Sequence, residues 1–141
     1  MTVYADSSAV LAWLLDEPGS ERVADALRPP AEVVVSDLTL IECDRSLHRL
    51  VRHRPANAAA VARLRLQVAE LAASWVVVAI GEPIVTRARD PFPDDAIRTF
   101  DAIHLATAMV IRASTIQLDL LSLDERMRLN ALALGFRVLP E

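Results

Sequence analysis

Short apolar runs alternate with helix-like segments along this chain, and no other feature limits its possible folds as strongly. The runs cover residues 3–5, 33–35, 75–80, 118–121 and 136–139, and the segments between them carry helix caps or breakers such as Ser36, Pro55 and Gly135. Alternating strands and helices form right-handed βαβ units, whose parallel strands are buried by helices on both faces. The sequence therefore predicts an α/β fold with a mostly parallel central sheet.

Length and composition are typical of one globular domain. The chain has 141 residues, of which 53% are hydrophobic and 24% charged, and this is enough to form a core of its own. No internal repeat, low-complexity tract or linker divides the sequence. We therefore expect a single domain over residues 1–141.

The features that bear on location favour the cytoplasm. The single cysteine, Cys43, cannot form an intrachain disulfide. The first residues lack the basic start of a signal peptide and carry Asp6 before the apolar stretch. The longest strongly apolar run, residues 75–80, is too short to span a bilayer. We expect a cytoplasmic protein with no membrane role.

Four acidic residues lie where a parallel sheet of this kind binds ligands, beyond the carboxyl ends of its strands. Asp6 follows the first strand, and Glu42 lies two turns into the helix after the second. Asp101 opens an apolar helix, and Asp124 lies in the first turn of the helix after residues 118–121. Crowded carboxylates raise one another's pKa unless a cation neutralises them, and Mg²⁺ prefers such oxygen ligands. The pattern indicates a possible metal centre.

Each of these acids also has an ordinary structural interpretation. Asp6 and Asp124 fit helix caps or first-turn residues. For the last helix, Ser122 with Glu125 three residues later also fits a capping box. Asp101 is harder to explain in that way, because its helix is apolar on nearly all sides and a buried carboxylate needs a partner. His104, three residues later, is more simply a hydrogen-bonded core residue than a general base.

The acids stand in short motifs that occur in a fixed order along the chain. These are Asp6-Ser7-Ser8-Ala9, Glu42 in the helix after the second strand, DAIHLATA at residues 101–108, and SLDERM at residues 122–127. Together they resemble the PIN-domain nucleases, in particular the VapC toxin group, over essentially the whole chain. DAIHLATA is the most specific part of the resemblance.

The resemblance implies a PIN-like three-layer fold whose sheet has four to five short strands flanked by helices. It implies a metal-dependent endoribonuclease that hydrolyses RNA phosphodiester bonds as the toxin of a toxin-antitoxin pair, with Mg²⁺ or Mn²⁺ as its cofactor. The expected partners are an RNA substrate, a cognate antitoxin and a second copy of the chain in a homodimer.

Residue by residue, the resemblance makes Asp6 and Asp101 the principal metal ligands. Glu42 and Asp124 match the other two acidic positions, which bind the metal directly or through water. Ser122 matches the small hydroxyl residue often found two positions before the last acid, where it would have a supporting role. Asp119 competes for the fourth position, but Asp124 is preferred because Asp119 starts or borders a strand.

The net charge of -4 hides a basic segment. Residues 45–65 contain six arginines and no acid, so this segment carries +6 while the rest of the chain carries -10. Arg45, Arg49 and Arg52 fall on the same side of the predicted helix as Glu42. We expect them to contact RNA phosphates, although a solvated face or contacts with a partner chain would also explain them.

Other classes of α/β protein fit less well. A receiver domain pairs two acids after its first strand and uses a lysine, and this chain has neither feature. Its three glycines form no phosphate-binding motif, and Ser8 stands where a haloacid-dehalogenase-type phosphatase has a second aspartate. The main alternative is a catalytically weak PIN domain that binds RNA or protein, against which the presence of all four acids argues.

Overall fold

Strands and helices alternate in a computed structural model of the chain, which describes residues 1–29, 31–94, 96–115 and 117–141. The strands are β1 (Thr2–Ala5), β2 (Glu32–Ser36), β3 (Val76–Val78), β4 (Leu118–Leu121) and β5 (Val138–Leu139). The helices are α1 (Ser7–Leu14), α2 (Ser20–Leu27), α3 (Asp37–His53), α4 (Ala58–Ser74), α5 (Glu82–Ala88), α6 (Thr99–Arg112) and α7 (Glu125–Ala133). A short 3-10 turn, Pro55–Asn57, joins α3 to α4.

The five strands form one sheet in the order β3-β2-β1-β4-β5. Every pair of neighbouring strands is parallel. In the central strand β1, Val3 pairs with Val33 on one side and with Asp119 on the other. The prediction of a mostly parallel sheet with four or five short strands is confirmed.

The core lies on both faces of this sheet because successive side chains of a strand point to opposite sides. Val3 and Ala5 belong to a cluster that includes residues of α1 to α4. Tyr4, between them, belongs to a second cluster formed with residues of α5, α6 and α7. The sheet is therefore the middle of three layers, as predicted.

The two outer strands are shorter than the sequence predicts. Residues 75–80 and 136–139 read as strands, but β3 covers Val76–Val78 and β5 only Val138–Leu139. Each of these edge strands pairs with a single neighbour, three residues for β3 and two for β5. Both apolar segments are longer than the part that is hydrogen-bonded to a neighbouring strand. The length of β3 and β5 is therefore set by strand pairing and not by apolar composition.

Three helices begin directly after strands at one edge of the sheet. Asp6, Ser36 and Asp124 are the N-caps of α1, α3 and α7, which come after β1, β2 and β4. Because the strands are parallel, these helix N-termini gather at the carboxyl edge, where their free N–H groups and dipoles favour negative charge.

None of the helices in the described part of the chain combines the length and the hydrophobicity that a membrane span requires.

Candidate active site

Asp6 lies at the centre of the carboxyl edge and is 2% exposed. One carboxylate oxygen accepts hydrogen bonds from the backbone N–H of Ala9 at 3.0 Å and from Ser8 Oγ at 2.7 Å. The other oxygen accepts from Ser122 Oγ at 2.5 Å. Burial raises the pKa of Asp6, and the hydrogen bonds offset this only in part. The carboxylate is thus held in one orientation and carries a charge that its surroundings do not fully stabilise.

Ser8 and Ser122 connect Asp6 to the loop after β4. Ser8 Oγ accepts from the backbone N–H groups of Leu123 at 2.9 Å and Asp124 at 3.2 Å. Ser122 Oγ accepts from the Asp124 N–H at 3.1 Å. These bonds place Asp124 next to the start of α1.

The N-terminus of α7 differs from the sequence prediction, in which Ser122 caps the helix and Glu125 completes a capping box. Asp124 is the cap instead, with its Oδ1 accepting from the Met127 N–H at 3.1 Å. The reason is that the Ser122 hydroxyl donates to Asp6. The helix accordingly begins at Glu125.

Glu42 reaches the same edge from α3, with 22% of its side chain exposed. Its Oε2 accepts from Ser7 Oγ at 2.8 Å and from Nε2 of His104 at 2.7 Å. Burial raises the pKa of Glu42, but the bonds from His104 and Ser7 outweigh it and the net pKa lies below the usual value. Glu42 is therefore held as a carboxylate.

Asp101 lies in the first turn of α6 and is half-buried. Its Oδ2 accepts the Arg98 N–H at 3.4 Å. Burial raises the pKa of Asp101, and the negative charge of Asp124 raises it further. Asp101 also lines a cavity of about 500 Å³ together with Glu42. Asp101 is thus close to Glu42 and Asp124.

The structure brings Asp6, Glu42, Asp101 and Asp124 to one edge of the sheet, which we call the acidic edge. Asp119 lies apart from it, inside β4, with its Oδ2 3.5 Å from Nη1 of Arg137. Within the described part of the chain, neither Asp119 oxygen has a hydrogen-bond partner. Asp119 and Asp124 therefore lie in different surroundings, one inside β4 against Arg137 and the other at the start of α7.

The acidic edge contains the ligand type that a hard divalent ion prefers, but it does not enclose one. Within the described ranges, no three His, Cys, Asp or Glu side chains are close enough to hold a metal ion together. Mg²⁺ usually keeps several waters and takes one or two carboxylates directly. The raised pKa values of Asp6 and Asp101 indicate negative charge that a cation would relieve. The donor set therefore fits a largely hydrated divalent ion.

The predicted basic face of α3 extends away from this edge. Arg45, Arg49 and Arg52 are all exposed. Arg49 lines a cavity of about 640 Å³ that also includes Ser8 and Asp124, and it donates to Ser46 Oγ at 2.8 Å. Arg65, also of the basic segment, pairs instead with Asp44. Arg49, one of the three arginines predicted to contact RNA, therefore shares a cavity with Asp124 of the acidic edge.

Several residues that contact the acids have no role predicted from the sequence. Ser7 and Ser8 stand directly after Asp6, and this pair of adjacent hydroxyls was the available signal. Arg98 lines the cavity that contains Glu42 and Asp101, and only its position before an acid-bearing helix could have indicated it. His104 is buried as expected, but its partner is Glu42.

The chain is similar to known proteins over nearly its whole length. The family model described as PIN domain matches residues 3–132. The chain is 27% identical over 140 residues to Ribonuclease VapC35 of Mycobacterium tuberculosis, an alignment that covers 96% of this chain and 94% of that protein.

Two solved structures are similar in fold. VapC20 of Mycobacterium tuberculosis, described as a Sarcin-Ricin loop cleaving toxin, superposes with a TM-score of 0.64 at 19% identity and 95% coverage of both chains. A toxin-antitoxin complex from Klebsiella pneumoniae gives 0.66 at 15% identity, covering 98% of this chain and 96% of that one. With a family model that matches nearly its whole length, the chain belongs to the PIN domain family.

Proposed function

We propose that this PIN domain is a VapC-type endoribonuclease that hydrolyses RNA phosphodiester bonds with Mg²⁺ or Mn²⁺ as its cofactor. The observation that carries the proposal is the arrangement of Asp6, Glu42, Asp101 and Asp124 at one edge of the sheet. The similarity over nearly the whole length to a protein named as a ribonuclease supports the choice of RNA as substrate.

Each acid has a proposed role that follows from its surroundings. Asp6 and Asp101 are the principal ligands, because their raised pKa values make them the carboxylates that gain most from a cation. Glu42 and Asp124 bind directly or through water. A divalent ion held by these carboxylates would supply Lewis acidity toward water and would offset negative charge at the phosphate. Ser122 and Ser8 hold the Asp6 carboxylate in place through their hydroxyl groups.

The proposed RNA path runs from the acidic edge along α3. Arg49 lines the cavity beside Ser8 and Asp124, where its guanidinium can contact a phosphate next to the one that is cleaved. Arg45 and Arg52 continue the exposed basic face of the same helix. Contacts of this kind position the backbone without reading its sequence.

The proposed biological role is that of a toxin in the cytoplasm, controlled by a cognate antitoxin. The fold is shared with a protein solved as part of a toxin-antitoxin complex. Large apolar side chains are exposed at Ile41, Val85 and Phe100, and exposed apolar groups favour contacts between proteins. We propose that such contacts serve the antitoxin and a second copy of this chain in a homodimer.

The experiment that tests the activity is cleavage of structured RNAs by the purified protein with Mg²⁺, with Mn²⁺ and with EDTA. We expect the wild type to cut only with a divalent ion. Asp6→Asn and Asp101→Asn should lower the rate at least about 100-fold with no change in circular dichroism, because each removes a charged ligand.

Asp25→Asn is the matched control, since Asp25 is an exposed acid on α2 that pairs with Arg28. Its cleavage rate should stay within about twofold of the wild type. Cleavage that persists in EDTA, or full activity of either site variant, would contradict the metal assignment. RNA binding without any cleavage by the wild type would favour the alternative, a PIN domain that acts only by binding.

A further inference from the structure

His104 makes more specific contacts than a core histidine needs. It lies on α6, three residues after Asp101, and is 2% exposed. Its Nε2 is 2.7 Å from Oε2 of Glu42, and its Nδ1 is 2.8 Å from the hydroxyl of Tyr4. Both ring nitrogens are therefore engaged, one of them by a proposed metal ligand.

The contacts continue beyond the ring and connect the elements that carry the acids. The Tyr4 hydroxyl lies 3.2 Å from Oγ of Ser36, the N-cap of α3. Tyr4 itself is on β1, two residues before Asp6, and Glu42 is on α3. A chain of side-chain contacts thus joins β1, α3 and α6 in the interior, beneath the acidic edge.

The direction of the hydrogen bond to Glu42 follows from the chemistry of the two groups. An ionised carboxylate only accepts, so Nε2 of His104 donates to Glu42. On the other side of the ring, the Tyr4 hydroxyl lies 2.8 Å from Nδ1. Contacts at both nitrogens therefore hold the histidine ring in one orientation.

Both hydrogen bonds to Glu42 go to the same carboxylate oxygen. Ser7 and His104 both donate to Oε2, and Oε1 takes part in neither bond. A free glutamate side chain samples several rotamers, and ordering it costs conformational entropy. Here the two hydrogen bonds supply that ordering and leave Oε1 for another ligand.

We propose that His104, held by Tyr4, is a positioning residue that orients Glu42 for divalent-ion binding. The inference rests on the proposed function, because it takes Glu42 to be a ligand. Outer-shell partners of this kind typically change metal affinity about 10- to 100-fold when they are removed.

The test is the affinity of the RNA-free protein for Mn²⁺, measured by isothermal titration calorimetry. His104→Leu removes the donor to Glu42 and should raise the Kd at least about tenfold. His104→Gln places an amide N–H near the position of Nε2 and should bring the Kd back to within about threefold of the wild type. Tyr4→Phe keeps the aromatic ring but frees Nδ1, and should raise the Kd by about threefold or more.

Leu105→Val is the matched control for general damage to α6. Leu105 is the next residue along and is fully buried in the apolar cluster. This change should lower the melting temperature by a few degrees while the Mn²⁺ affinity stays within about twofold.

The possible results separate this inference from the proposed function. Wild-type Mn²⁺ affinity in folded His104→Leu, or an equal loss in Leu105→Val, would overturn the positioning role. If His104→Leu does not fold, Tyr4→Phe decides, and unchanged affinity in that variant would overturn it. If the wild type cleaves RNA with Mn²⁺ but these variants bind the ion normally, only this inference fails. If the wild type neither binds Mn²⁺ nor cleaves RNA, the proposed function fails first.

Discussion

Asp6 and Glu42 lie at the same edge of the sheet, but their surroundings shift the two pKa values in opposite directions. Burial dominates for Asp6 and raises its pKa. Glu42 is also penalised by burial, yet the donors Ser7 and His104 bring its pKa below the usual value. The acidic edge therefore combines one carboxylate whose charge is well compensated, Glu42, with one whose charge is not, Asp6. This is the charge pattern of a site that gains stability when a cation binds.

Asp101 provides a pH-dependent test of this view. Its folded-state pKa is raised, by burial first and then by Asp124. For a carboxyl group with a raised pKa, stability is lost as the pH rises from the unfolded-state value through the folded-state value. Asp101→Asn cannot ionise and avoids this loss.

In EDTA, the melting temperature of Asp101→Asn relative to the wild type should therefore increase from about pH 4 to about pH 7. Saturating Mn²⁺ should reduce the difference at neutral pH, because the cation neutralises the wild-type carboxylate. Differential scanning calorimetry at several pH values measures both effects. A constant difference across this range would show that Asp101 is not destabilised by its charge.

At this scale the sequence could indicate the acids but not their partners. Asp6 and Asp101 stand out through their local context, the end of a strand and the start of an apolar helix. Their hydrogen bonds depend on distant residues, since Ser122 is 116 positions from Asp6 and His104 is 62 positions from Glu42. Only the packing of the whole sheet brings such residues together.

Among the elements, α7 shows how a single residue determines where a helix ends. The helix covers Glu125–Ala133, and Gly135 follows its C-cap with a φ of +78°. A Cβ added at Gly135 would have no heavy atom within 4 Å apart from its chain neighbours. Any cost of a side chain there is therefore conformational rather than steric.

Gly135→Ala should lower the free energy of unfolding by about 1 kcal/mol, because alanine disfavours positive φ. Gly135→Asn should cost less, since asparagine tolerates the left-handed region better. Urea denaturation measures both values. An asparagine variant less stable than the alanine variant would contradict a purely conformational origin.

Local signals predicted the helices better than the outer strands. The bounds of α3 follow from the cap Ser36 and from Pro55 just beyond its end, and both act within a few residues. The lengths of β3 and β5 depend on pairing with a neighbouring strand, which no local pattern specifies. The start of α7 was misplaced for a related reason, because a distant carboxylate uses the Ser122 hydroxyl.

The charge of the whole molecule is a poor guide to its binding partner until its distribution is known. The net value of -4 is the sum of +6 in residues 45–65 and -10 in the rest of the chain, which includes the four acids of the edge. Arg49 lies beside the acidic edge, whereas Arg22 is exposed on α2. The same charge change at these two positions should therefore affect RNA binding differently.

Arg49→Glu should weaken RNA binding about tenfold or more and flatten its dependence on salt, because fewer counterions are released. Arg22→Glu changes the net charge equally and should alter the affinity by no more than about twofold. Fluorescence anisotropy with a short labelled RNA, in EDTA and at several salt concentrations, compares the two. Equal effects of both variants would indicate that only net charge matters and would remove Arg49 from the proposed RNA path.

The α/β class and the parallel sheet followed from the alternation of apolar runs, and the motif order indicated the family that the comparisons then confirmed. The central claim is that four acids distant in sequence form one divalent-ion centre. Calorimetric titration of Mn²⁺ into the metal-free protein tests it most directly, with Asp6→Asn, Glu42→Gln, Asp101→Asn and Asp124→Asn compared with Asp119→Asn.

We expect saturable binding by the wild type and a loss of affinity of at least about tenfold in each of the four edge variants. Asp119→Asn should bind like the wild type, because Asp119 faces Arg137 away from the edge. No saturable binding by the wild type, or unchanged affinity in the edge variants, would contradict the central claim.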